Sequence, residues 1–173
     1  MGTDIGCPFF WQWVRKDDKI RAITKSFLLR AKIEKWARMI GEPADMKELL
    51  TIKVACQEPY SVQGQKYRIC MIPFTGEAFG PYFHGKTIGT GVDTQRFQKG
   101  QPDQLSARYM LEGEDFTGAG CRIFVENSLH DDEGWHPMIV TDSKALAEWE
   151  EMNLIAAVDG IEGGVLVRIF ENS

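Results

Sequence analysis

Three stretches of the chain place polar side chains on tight or strand-like backbone, where they could do chemistry. The first is Phe79–Asp93, FGPYFHGKTIGTGVD. Gly89 and Gly91 allow positive φ or close backbone approach, Asp93 follows directly, and His84 lies upstream in the same stretch. No phosphate loop is present, because GxxxxGK(S/T) is absent and GxG alone is weak. The bland alternative is a barrel corner with an Asx turn at Asp93. The second stretch is Ser106–Leu111. A period of two puts Ser106, Arg108 and Met110 on one face and Ala107, Tyr109 and Leu111 on the other. An arginine facing a lumen would bind an oxyanion or a carboxylate; facing outward it is an ordinary surface residue. Both orientations stay open from sequence. The third is Ile123–Trp135, in which the amide of Asn127 can bind a carbonyl and Glu126 points to the opposite face.

Other chemistries find little support. There is no GxSxG, no HExxH and no paired-carboxylate motif. His84, His130 and His136 do not make a metal-ligand pattern with neighbouring carboxylates. Cys7, Cys56, Cys70 and Cys121 are separated by 49, 14 and 51 residues, which matches no zinc spacing. With no secretory signal legible, they read as reduced thiols of a cytoplasmic protein.

The elements that must hold these residues fall into two kinds. Residues 14–40 contain no Gly or Pro, and their apolar positions step by three and four, which predicts an amphipathic helix ended by Gly41 and Pro43. Beyond Pro43 the pattern becomes short apolar runs divided by Gly and Pro. Strands are expected at Leu50–Gln57, Tyr67–Phe74, Ala78–Ile88, Ser106–Glu112, Gly120–Asn127, Leu154–Asp159 and Val165–Phe170, and a short helix at Ser143–Met152. Regular turn signals between strands point to an antiparallel sandwich or barrel.

The whole chain of 173 residues has a formal charge of −5. Residues 11–40 carry a net +6, which leaves −11 on the remainder. An acidic body repels phosphates and argues against nucleic-acid binding. The basic helix suits packing on the barrel or on a second subunit, with contact to an anionic membrane surface as the alternative.

Three segments carry a resemblance to a known family: Met71–Gln95 (MIPFTGEAFGPYFHGKTIGTGVDTQ), Leu105–Asn127 (LSARYMLEGEDFTGAGCRIFVEN) and Pro137–Glu171. They resemble a bacterial family of small, largely uncharacterised proteins whose fold is similar to the allene oxide cyclase barrel. The match runs from about Met46 to the end, so residues 1–45 form an N-terminal helical extension and 46–173 a β-barrel domain. Asp93, Arg108 and Tyr109 match the family pattern; Thr90 and Ser106 depart from it. The resemblance implies a mainly β protein, an antiparallel eight-stranded barrel with a central cavity, and it admits a homodimer. It also suggests a cofactor-independent isomerase, cyclase or lyase acting on a small, mainly apolar carbonyl compound. In that scheme Arg108 holds the developing oxyanion, Asp93 moves a proton, Tyr109 or Asn127 orients the carbonyl, and His84 contacts substrate. No metal or cofactor is required. A non-catalytic carrier or sensor of an apolar small molecule is the alternative.

Overall fold

The computed structural model describes residues 46–130 and 134–172. The expected helix at 14–40 lies outside the described residues. Ten strands follow one another along the chain: β1 Glu48–Cys56, β2 Tyr60–Gln63, β3 Tyr67–Phe79, β4 Phe83–Thr87, β5 Gly91–Gln98, β6 Gln104–Asp115, β7 Gly120–His130, β8 Gly134–Thr141, β9 Leu154–Ile161 and β10 Gly164–Glu171. Every pairing is antiparallel, and β1 pairs with both β10 and β3, which closes the sheet on itself.

The ring has eight positions because two of them are filled by broken strands. β1 and β2 pair with the second and first halves of the long β3. β4 and β5 likewise share the place between β3 and β6. The break between β4 and β5 falls at Gly89, whose φ of 62° is strained for residues with a Cβ. The weakest seam is β8–β9, where only Trp135 and Ala156 are in register.

Alternation along each strand sends one set of side chains inward. Leu50, Ile52 and Val54 of β1, Leu111 of β6, Ile123 and Val125 of β7, and Val167 and Ile169 of β10 form the main core. One end of the barrel is closed. Tyr82 stacks edge-on between Phe116 and the buried Trp149, with ring centroids 6.1 Å apart in each pair. Behind them Asp115 accepts hydrogen bonds from Ser143 Oγ at 2.6 Å and from the Thr117 and Ala119 amides. The expected helix at Ser143–Met152 is a single 3-10 turn, Ala147–Glu150. Ser143 Oγ accepts from the Ala145 and Leu146 amides ahead of that turn, whose own N-cap, Leu146, makes no side-chain cap, and the turn seats Trp149 under the barrel.

Three strands, β2, β5 and β8, were not predicted, and Ala78–Ile88 holds the end of β3 and all of β4 with a turn at Gly80–Tyr82 rather than one strand. β5 (GVDTQRFQ) puts polar residues inward, and β8 carries Pro137 mid-strand, so neither shows an apolar strand signature. Among the described residues no helix is long and apolar enough to cross a membrane.

Candidate functional site

Register fixes which side chains meet inside the barrel. Asp93 of β5 is opposite Ala107 of β6, and Ala107 is opposite Asn127 of β7. Directly paired residues of antiparallel strands point to the same face. The buried face of β3 (Cys70, Ile72, Phe74) is paired with Gln95, Asp93 and Gly91, which makes this face the interior. Asp93 and Asn127 therefore flank Ala107 from either side, about 10 Å apart at Cα given the strand spacing. Only a methyl group stands between them. Tyr109, two residues along from Ala107, points the same way.

Gln95 Nε2 donates to Asp93 Oδ2 at 2.7 Å, whereas Asp93 Oδ1, Tyr109 Oη and Asn127 Oδ1 are all buried without a hydrogen-bond partner among the described residues. Three such atoms around one small residue are unusual, because a buried polar group left unpaired costs ~1–3 kcal/mol. Burial raises the Asp93 carboxyl above the ordinary carboxylate value, against the pull of the Gln95 hydrogen bond. Burial also holds the Tyr109 phenol protonated well above its usual range. Burial raises the Cys56 thiol too, with the Asp93 charge adding to it, so Cys56 senses this carboxylate. Gly91 is required by close approach: a Cβ there would lie 2.6 Å from the Phe74 ring and 2.8 Å from Tyr109 Cβ. Those two rings meet edge-to-face with centroids 5.4 Å apart and form the floor of the polar cluster.

The sequence-derived site separates into an inner and an outer set. Asp93, Tyr109 and Asn127 are inside. Arg108 is not: its side chain is 58% exposed and Nη2 donates to Glu126 Oε1 at 2.7 Å on the outer wall. The expectation that Arg108 and Asp93 share an enclosed pocket is therefore corrected. Arg108 belongs to the phase of Ser106 and Met110, which faces water, and there a guanidinium keeps its hydration and a carboxylate partner. His84 is also on the outside, 3.6 Å from Glu114 with 68% of its side chain exposed, and is corrected as a contact to an interior ligand. The residue missed from sequence is Arg68. It lies on β3 in phase with Cys70 and Ile72, and its Nη2 is buried and unpartnered. The Arg-x-Cys-x-Ile alternation was the available signal.

The donor set does not favour a metal: among the described residues no three His, Cys, Asp or Glu side chains converge. Cys56 and Cys121 are free thiols. The arrangement offers a hydroxyl donor, an amide acceptor and a carboxyl group able to give or take a proton, within a largely apolar wall.

Comparison with solved structures supports the fold. A protein of unknown function from Clostridium acetobutylicum ATCC 824 superposes with a TM-score of 0.63 at 20% identity, over 75% of this chain and 97% of that one. A protein described as an enzyme from Penicillium herquei gives 0.59 at 14% identity, covering 75% and 94%. A β-barrel-like protein from Acinetobacter baumannii AYE gives 0.56 at 14% identity, covering 73% and 94%. A search of curated protein sequences gave no match. The model of one sequence family, "Protein of unknown function (DUF3237)", matches residues 44–134, which hold β1 to β7 and every inner polar residue described above, and the chain belongs to that family.

Proposed function

We propose that this barrel is a cofactor-independent isomerase, cyclase or lyase for a small, mainly apolar carbonyl compound bound in its interior. The single observation that carries this reading is the trio of buried, unpartnered polar atoms around Ala107. A ligand carbonyl oxygen accepts from Tyr109 Oη, and a ligand hydroxyl or amine donates to Asn127 Oδ1. Asp93 then faces the carbon or oxygen that exchanges a proton. Its carboxyl is tuned upward by burial, in the direction a general base working near neutrality needs. Gln95 holds the other carboxyl oxygen and fixes the group's orientation. As charge develops on the carbonyl oxygen, the phenol hydrogen bond strengthens in a site that excludes water. The earlier role of Arg108 passes to Tyr109. Kinship with the allene oxide cyclase barrel, inferred from the sequence, is part of this proposal and agrees with an interior wall that carries few polar groups.

The test is deuterium wash-in. Cyclic β-diketones and aryl ketones are incubated with the protein in heavy water, and loss of their α-hydrogens is followed by proton NMR. The wild type is expected to accelerate exchange over buffer by about 100-fold or more for at least one probe. Asp93→Asn should lose that acceleration while retaining binding. Probes that bind and exchange no faster than in buffer would contradict catalysis and leave a carrier of apolar carbonyl compounds.

A further inference from the structure

Beyond the Asp93 layer, toward the end of the barrel opposite Trp149, the inner face changes character. Arg68 of β3 is paired with Phe97 of β5, four residues along each strand from the Ile72–Asp93 pair, with the Cys70–Gln95 pair between them. The Arg68 guanidinium lies over the Phe97 ring, 4.7 Å from its centroid, which fixes its plane. One guanidinium nitrogen is buried with no acceptor among the described residues. Phe97 itself packs on Cys70 and Ile72, so the arginine is continuous with the apolar wall leading down to Asp93. A groove of about 420 Å³ opens beside it, lined by Lys66 and Lys99 as well as Arg68, with Asp103 the one acidic side chain. This basic mouth sits on a chain whose net charge is −5. Among the described residues the guanidinium is held by stacking and by no ion pair, while Arg108, Arg122 and Arg168 all have carboxylate partners on the outside.

We propose that the ligand of this barrel carries a carboxylate that is bound by Arg68 at the mouth, with its carbonyl end directed to Tyr109 and Asp93. This deepens the reading given under Proposed function and rests on it. Four residues separate Arg68 from the Ile72–Asp93 layer, about 13 Å along a strand. The substrate class is therefore an aryl or acyl keto acid long enough to span from mouth to floor, with an apolar body against Phe97, Cys70 and Ile72. Planar guanidinium suits a carboxylate bidentately, and Lys66 and Lys99 draw the anion toward the opening.

The probes are 10-oxo-10-phenyldecanoate, whose chain is long enough to span the two layers, and its methyl ester, titrated into the full chain by calorimetry and followed by side-chain NMR of Tyr109 and Asn127. The acid is expected to bind the wild type about tenfold or more tightly than the ester. Arg68→Met should reduce the acid to the affinity of the ester and leave the ester unchanged. Arg68→Lys, which keeps the charge and the fold but loses the fork, should fall between. Equal affinity of acid and ester for the wild type overturns the carboxylate inference, as does binding of neither compound or an acid preference that survives Arg68→Met. If the ester still shifts Tyr109 and Asn127 in such a case, the interior site stands without an anion anchor. If neither compound moves those resonances, the interior site fails with it.

Discussion

Tyr109→Phe is a substitution that ordinarily destabilises a protein, and here the structure predicts a gain. The phenol is buried, with 6% of the residue exposed, and its hydroxyl has no hydrogen-bond partner. Removing it deletes a desolvated polar group without breaking a protein hydrogen bond, a change worth ~1 kcal/mol or more in favour of the folded state. The ring remains, so its edge-to-face contact with Phe74 at 5.4 Å is kept and no cavity opens beyond one oxygen atom. For a domain of this size ~1 kcal/mol corresponds to roughly 3–5 °C in Tm. Thermal melts and urea titrations of ligand-free protein measure it, with an unchanged m-value showing that the denatured state is not the cause. The same variant should lose proton exchange on ketone probes, because the hydroxyl is the donor to the carbonyl. Loss of stability by ~1 kcal/mol or more would refute the reasoning. It would show that the hydroxyl is satisfied in the folded barrel, and that the interior does not wait for a ligand.

Three further outcomes follow from the same geometry. Asp93→Asn should be more stable than the wild type at neutral pH, with the gap shrinking toward acid. The folded protein binds the Asp93 proton more tightly than the unfolded chain does, so wild-type stability falls as pH rises from the ordinary carboxylate value through the raised one; denaturation at several pH values checks this. Gly91→Ala should cost ~1–3 kcal/mol, because its methyl would meet the Phe74 ring at 2.6 Å and cannot be accommodated without moving the floor of the site; urea midpoints measure it. Arg108→Ala should leave proton exchange and ligand affinity unchanged, since it removes only an outer-wall ion pair with Glu126; kinetic parallels with the wild type would show this, and a loss of turnover would restore Arg108 to the site.

The sequence carried the antiparallel β architecture well, because alternation in β1, β6 and β10 is plain in Leu50/Ile52/Val54, Tyr109/Leu111 and Val167/Ile169, whereas the choice of a closed barrel over a sandwich rested on the family resemblance. It carried the site only in part. Asp93, Tyr109 and Asn127 were legible as candidates, but which face was inner was settled by closure of the ring, a long-range property absent from any local window. For Arg108 the two phases of β6 were legible but not their direction: the pairing of Tyr109 and Leu111 with the buried Val125 and Ile123 puts the arginine in the outer phase. β5 was hidden for a physical reason. A strand that lines a polar interior shows no apolar alternation, and this same feature is what makes it part of the site. The predicted helix at Ser143–Met152 failed because its residues plug the barrel end through Trp149 and Leu146, so packing and not helical hydrogen bonding determines their path.

The most direct measurement is a crystal structure of the protein with a bound keto-acid probe. The account predicts density inside the ring, with the probe's oxygen atoms within hydrogen-bonding distance of Tyr109 Oη and Asn127, and its proton-bearing carbon facing Asp93 Oδ1. A probe seated only on the outer wall, beside Arg108 or His84, with the three inner atoms paired by ordered water, would contradict it.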